Sequence, residues 1–276
     1  MSRKVFLVLL GFFVAGLTAM PTSTFAASPA PANSTTVAGY QLTAMAGDNI
    51  TSIKASWYLP EVTCSAMETS YSNVSIMIDG FASPNSDQLR IGTTSNCISG
   101  KATYGVFYVL NLANGVKKVA KPLPTVSPTD LIKVTGKWNP GGAPKHGGST
   151  NQGWEATITD TASGITGKVS DKSSTKAALN SAAFVVGKPN AAALADFGTV
   201  GFGNYNTGVR STCELTAGIS SNNTVYKAIS IGSLADHQGF TLTQYTMVNG
   251  LDVLATTSSL QDTKGKSFAV TFNLSS

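Results

Sequence analysis

Apolar and polar residues alternate with a period of two along much of this chain. NVSIMIDG (73–80) places Val74, Ile76 and Ile78 on one side. DLIKVTGKW (130–138) sets Ile132, Val134 and Trp138 against Lys133 and Lys137, and SFAVTFNL (267–274) repeats the pattern with Phe268, Val270 and Phe272. Successive side chains of a strand point to opposite faces, so this alternation predicts half-buried β-strands. TYGVFYVLNL (103–112) is apolar almost throughout, which predicts a central strand covered on both faces. Turn signals separate the runs: Asn-Gly at 114–115 and 249–250, Asn-Pro-Gly-Gly at 139–142, and Thr-Lys-Gly-Lys at 263–266. Helical periodicity is weak; AAALAD (191–196) is its best stretch and allows one or two turns at most. Many short strands between turns predict an all-β fold of two antiparallel sheets packed face to face.

Composition agrees. Charged residues make up 12% of the chain, about half of the usual ~25%. Ser, Thr, Gly and Asn fill the difference, which suits exposed strand faces better than helices joined by ion pairs. Arg3 and Lys4 precede an apolar run from Val5 to Ala19, and small residues follow in PTSTFAAS (21–28). That is the layout of a secretory signal peptide over residues 1–26, and the apolar run is short of the ~20 residues that span a bilayer. The expectation is a secreted protein, extracellular or periplasmic, with no membrane segment after signal removal. Residues 27–36, rich in Pro and Ser, read as a disordered leader, and residues 37–276 as a single β-sandwich domain.

The candidate chemistry is sparse. Without the signal, 17 basic residues face 14 acidic ones, too even and too dispersed a balance for a nucleic-acid partner. Cys64, Cys97 and Cys213 lack the spacing of a CxxC redox or zinc site; in an exported chain they imply one disulfide and one odd thiol. The only histidines, His146 and His237, stand alone in polar segments, so neither a metal nor a cofactor is expected. ADFG (195–198) lacks every companion motif of a kinase, and GGAPKHGGST (141–150) lacks the ending of a phosphate loop. Five Asn-x-Ser/Thr sequons begin at Asn33, Asn49, Asn73, Asn222 and Asn273 and are expected by chance in so polar a chain. Arg90 is one of three arginines in the chain and stands inside an otherwise uncharged strand, QLRIGTT (88–94).

Read in order, the segments VAGYQL (37–42), SWYLPEVTC (56–64), SIMIDG (75–80), QLRIGTTSNC (88–97), TYGVFYVL (103–110), TDLIKVT (129–135), ATITDTASG (156–164), SAAFVVGKP (181–189) and LADFGTVGF (194–202) resemble the glutamic peptidases, family G1 or eqolisins, in their bacterial form. The resemblance runs from about residue 37 to the C-terminus, with an insertion near 208–226. It implies a concanavalin A-like sandwich of jelly-roll type and descent from secreted acid endopeptidases. Their catalytic pair is a glutamine that holds the attacking water and stabilises the oxyanion, and a glutamate that acts as general base and acid. It also implies a disulfide between Cys64 and Cys97, with Cys213 free.

The resemblance puts the glutamine at Arg90, two residues before Gly92, and the glutamate at Ala183. Gln88 stands on the same strand face about 7 Å away, an imperfect substitute. A Trp-Tyr-Glu of the family corresponds to Phe107, Tyr108 and Val109, and a second glutamate to Gly187. A methyl group takes no proton, and general acid–base assistance is worth about 10²–10⁴ in rate. The vestigial pair Arg90 and Ala183 therefore implies a catalytically silent relative, a monomer that takes a polypeptide or other extracellular ligand in a concave groove. Gln88, Phe107, Val109 and Phe184 are its expected lining. Arg90 either bridges to a structural carboxylate, Asp79 or Asp87, or meets an anionic group of the ligand. Two other functions stay open: an acid endopeptidase with a displaced carboxylate at Glu155, Asp160 or Asp196, and a lectin-like carbohydrate-binding module.

Overall fold

The alternating runs become strands. The computed structural model describes residues 30–79, 87–112, 115–118, 124–139, 153–172, 177–203, 215–221, 224–225, 229–230, 240–261 and 267–273. The proposed signal peptide, Cys213 and both histidines lie outside them. The described residues form no helix. In chain order the strands are β1 (Ala30–Ser34), β2 (Val37–Ala44), β3 (Asp48–Tyr58), β4 (Ser70–Ile78), β5 (Gln88–Ile98), β6 (Lys101–Leu112), β7 (Gly115–Lys118), β8 (Leu131–Asn139), β9 (Gly153–Asp160), β10 (Thr166–Lys172), β11 (Ser181–Gly187), β12 (Thr199–Gly203), β13 (Leu215–Ser221), β14 (Thr224–Val225), β15 (Ile229–Ser230), β16 (Phe240–Asn249), β17 (Asp252–Thr257) and β18 (Ser267–Phe272).

One layer runs β1–β16–β2–β11–β4–β5–β6–β7. The other runs β10–β9–β8–β3–β12–β18–β17, with β13 beside β12 on the same edge of β3. Strand β16 pairs with β2 through Phe240–Tyr245 and with β17 through Met247–Asn249, so it crosses between layers and closes one side. Among the described strands every pairing is antiparallel except β1 with β16, and one isolated parallel bridge joins Tyr71 to Leu194.

The core lies between the layers, where the alternating residues meet. Leu89 and Ile91 of β5, Ile76 and Ile78 of β4, and Phe184 of β11 face Trp57, Val134 and Ile158 of the other layer, all essentially buried. Phe268 stacks on Phe202 at 4.6 Å and meets Tyr40 edge-on at 4.8 Å, geometries that aromatic quadrupoles favour. Trp57 Nε1 donates to Thr93 Oγ1 at 3.0 Å, pinning β3 to β5 across the interior. Cys64 and Cys97 form a disulfide with Cα atoms 5.6 Å apart, which ties the segment after β3 to the end of β5.

Three expectations change. Ala30–Ser34, inside the supposed disordered leader, is a strand: it lies along Thr243–Met247 in parallel register. Its weak hydrophobicity is no obstacle, because an edge strand needs backbone partners more than buried side chains, and Pro31 is tolerated there. The 103–112 strand is not covered on both faces. It is β6, and Phe107 and Val109 are only partly buried on the side away from the core. The fully buried strand is instead β11, SAAFVVG. Finally, Ala191–Asp196 makes no helical turn; Leu194 and Asp196 bridge to Tyr71 and Thr63 in extended pairings.

Candidate functional site

Residues directly opposite each other on neighbouring strands share a face. The register of β2, β11, β4, β5 and β6 therefore builds three rows on the face turned away from the main core. The first is Gln41–Ala183–Met77–Arg90–Val109, the second Gly39–Val185–Ser75–Gly92–Phe107, and the third Val37–Gly187–Asn73–Thr94–Gly105. Arg90 and Ala183 thus share a row with Met77 between them, two strand spacings or about 10 Å apart. Val37, Met77, Ala183 and Val185 form a small apolar cluster of their own on this face. None of the three rows contains a carboxylate.

Arg90 turns along the sheet, away from Ala183. Its Nε donates to Ser75 Oγ at 3.1 Å and its Nη2 to Asn73 Oδ1. Its Cζ stands 5.6 Å from the centre of the Phe107 ring, within reach of a cation–π attraction. The side chain thus passes from the first row, above Gly92 between Ser75 and Phe107, to Asn73 in the third. Two glycines shape this path. A Cβ on Gly92 would lie 1.9 Å from the Val74 carbonyl oxygen, so only glycine lets β4 and β5 approach there; a Cβ on Gly187 would lie 3.0 Å from Arg90 Nη2. Loss of water around the guanidinium pulls its pKa down to about 10, still fully charged at neutral pH.

Among the described residues Arg90 meets these neutral acceptors and neither expected carboxylate, Asp79 or Asp87. Asp79 faces elsewhere: its carboxylate accepts from the Leu179 and Asn180 N–H groups at 2.7 and 2.9 Å. Burial raises the Asp79 pKa, against the lowering effect of the backbone N–H groups of residues 178–181. Beside Ala183, Gln41 donates to Thr43 Oγ1 at 3.1 Å and accepts from Tyr245 Oη at 2.8 Å. Gln88 shares the Arg90 face and accepts from Asn111 Nδ2 at 2.7 Å. Phe184 does not line this face. It is fully buried among the core aromatics, because strand alternation sends it to the opposite side from Ala183 and Val185.

The three displaced carboxylates sit elsewhere. Glu155 pairs with Lys137 and Ser170 on the outer side of the second layer. Asp160 caps the turn after β9, accepting from the Ala162 and Ser163 N–H groups, and Asp196 accepts from Gly198 N at 3.0 Å in another turn. Among the described residues no group of three potential metal ligands exists.

This face belongs to a recognisable lineage. The model of the peptidase A4 family, which comprises the G1 glutamic peptidases, matches residues 35–256. The chain belongs to the peptidase A4 family. Its fold is similar to that of scytalido-glutamic peptidase bound to a peptide-based transition-state analogue, with a TM-score of 0.58 at 13% identity, covering 88% of this chain and 100% of that one. It is also similar to SCP-B, an eqolisin in complex with the tripeptide Ala-Ile-His, with a TM-score of 0.56 at 14% identity and the same coverage. No curated protein matches the chain by sequence.

Sequence reasoning missed Asn73 and Ser75, the acceptors that aim Arg90, and the Gln41–Tyr245 pair beside Ala183. The signal for the first two was present: in NVSIMI, Asn73 and Ser75 are the polar alternates to Val74 and Ile76. Tyr245 lies more than 200 residues from Gln41 in the chain, and nothing local connects them.

Proposed function

We propose that this chain is an exported member of the peptidase A4 family that binds an extracellular ligand over the partly exposed β5–β6 side of this sheet face and does not cleave it. The observation that carries the proposal is the row Gln41–Ala183–Met77–Arg90, in which the place corresponding to the family's glutamate is a buried methyl group; the rows through Ser75 and Asn73 hold no carboxylate, and the carboxylate of Asp79, beyond Met77, is engaged by the Leu179 and Asn180 N–H groups. Water attack on a peptide carbonyl needs a proton acceptor within about 3 Å of that water; Ala183 offers none, and the Arg90 head is directed away. Export is supported by the charged and apolar N-terminal layout together with the Cys64–Cys97 disulfide, since such bonds persist in oxidising compartments.

The test is casein degradation by the purified native protein between pH 2 and 7. The expected result is no product above a no-protein control. Degradation by the native protein, retained in Arg90→Ala, would establish a peptidase site elsewhere on the chain.

A further inference from the structure

A second candidate site lies on the other layer, on the side away from the Arg90 face. Trp57 of β3 packs in the core, so strand alternation turns its neighbour Tyr58 outward, where 41% of it is exposed. Tyr58 stands opposite Leu131 of β8. On its other flank, the pairing of Trp57 with Phe202 sets Gly201 of β12 beside it, and glycine leaves that side of the ring uncovered. The gap opens into a cavity of about 450 Å³, within the about 300–1,000 Å³ of small-molecule sites, whose lining includes Tyr58, Leu59, Glu61, Thr129, Thr199 and Gly201. Thr129 is held into it at a conformational cost. Its φ is 70°, a region that β-branched side chains avoid. Its N–H donates to the Leu59 carbonyl at 2.9 Å, and the Leu59 N–H donates to the Asp130 carbonyl at 2.9 Å, so the turn is fixed against the end of β3. Residues kept in such a conformation cluster at ligand-binding sites.

We propose that this cavity binds a pyranose unit of a neutral polysaccharide. Such a ring has an apolar C–H face and a hydroxyl edge, and the lining offers a partner for each. The Tyr58 ring supplies an apolar plane with a polar tip. The Glu61 carboxylate only accepts hydrogen bonds, through two oxygens that match a vicinal pair of hydroxyls. The Thr129 and Thr199 hydroxyls both donate and accept. Neither Tyr58 nor Glu61 has a hydrogen-bond or ion-pair partner among the described residues. Charge argues for a neutral ligand. Lys133 lies two residues along β8 from Leu131, on the same face and diagonal to Tyr58. An anion in the cavity would face Glu61 and a cation would approach Lys133, whereas a sugar hydroxyl can bond to either. One aromatic ring is also too few for the cage that captures quaternary ammonium groups. The site is separate from the Arg90 face and stands whether or not that face binds a ligand.

Saturation-transfer NMR on the native protein tests this, with cellotetraose, xylotetraose, mannotetraose, maltotetraose and N-acetylated chitotetraose as probes. At least one is expected to receive saturation, most strongly at its ring C–H protons. Tyr58→Ala and Glu61→Gln are each expected to weaken its binding by about tenfold. Both side chains are exposed, so the variants should unfold near the native midpoint. No transfer to any of these probes overturns the proposal. So does binding that survives Tyr58→Ala, which would place the sugar elsewhere, or transfer confined to tetragalacturonate or tetralysine offered in parallel.

Discussion

The Nη2 of Arg90 lies 3.0 Å from the point at which a Cβ on Gly187 would stand. The arginine and the glycine are complementary: the position that corresponds to a second family glutamate has no side chain, and the guanidinium of the neighbouring row fills the space. A carboxylate at 187 would meet the guanidinium directly.

Gly187→Glu is therefore expected to form a partly buried ion pair with Arg90. A Cβ there would also stand 3.2 Å from Asn73 Oδ1 and from the Thr36 backbone oxygen, so the arginine tip and the adjoining backbone must each give by a few tenths of an ångström, a cost that Gly187→Gln shares. The new carboxylate's pKa would fall, so its stabilisation is present above about pH 4.3, the unfolded value for Glu, and is lost as pH drops through the folded value. Compared with Gly187→Gln, thermal unfolding should show Gly187→Glu higher by about 2–4 °C at pH 7, as an ion pair worth about 1 kcal/mol implies, with the gap closing near pH 3. A gap that does not depend on pH would mean that Arg90 lies elsewhere.

The Cys64–Cys97 bridge spans a sequence separation of 33. In the chain-entropy model a loop of that length stabilises by about 3–4 kcal/mol. Cys64→Ala removes the bridge at the more exposed of the two cysteines and should lower the unfolding free energy by about that much in urea denaturation. Adding reductant to the native protein should reproduce most of the loss. An unchanged midpoint would show that the bond does not form.

Asp79 supplies a pH signature. Its raised pKa means that the folded chain binds the proton more tightly than the unfolded chain. This term therefore favours the fold below the unfolded value, about pH 3.9, and is lost as pH rises through the raised folded value. Asp79→Asn removes the titration and, like the protonated carboxyl, gives the Leu179 and Asn180 N–H groups one carbonyl oxygen. Its deficit relative to the native protein should be largest at acid pH and shrink as pH rises toward 6. Denaturation midpoints taken from pH 3.5 to 6 read this directly; a deficit that grows with pH would reverse the assignment.

These residues also mark what sequence could reveal. Strands such as β4 and β8 were legible because one buried face imposes strict alternation. For β6 the same reasoning failed: Phe107 and Val109 are apolar although they are only partly buried and turned away from the main core, since Phe107 packs under a guanidinium. The leader misled in the opposite way, because β1 is held by backbone bonds to β16, and those leave no mark on side-chain hydrophobicity. At the site, alternation put Gln88 on the face of Arg90 and the family resemblance put Ala183 beside them, whereas Phe184 was assigned to the groove against its own parity. The partners of Arg90 depended on register between β4 and β5, which no local pattern encodes.

The central claim is that this face binds without cleaving. Its most direct test is a mass-spectrometric search for new peptide termini after prolonged incubation of native protein with a proteome-derived peptide library at pH 3 and pH 6. The account expects every peptide to be recovered intact at both values, as in the protein-free control. Reproducible new termini that accumulate with time and scale with protein concentration would contradict it.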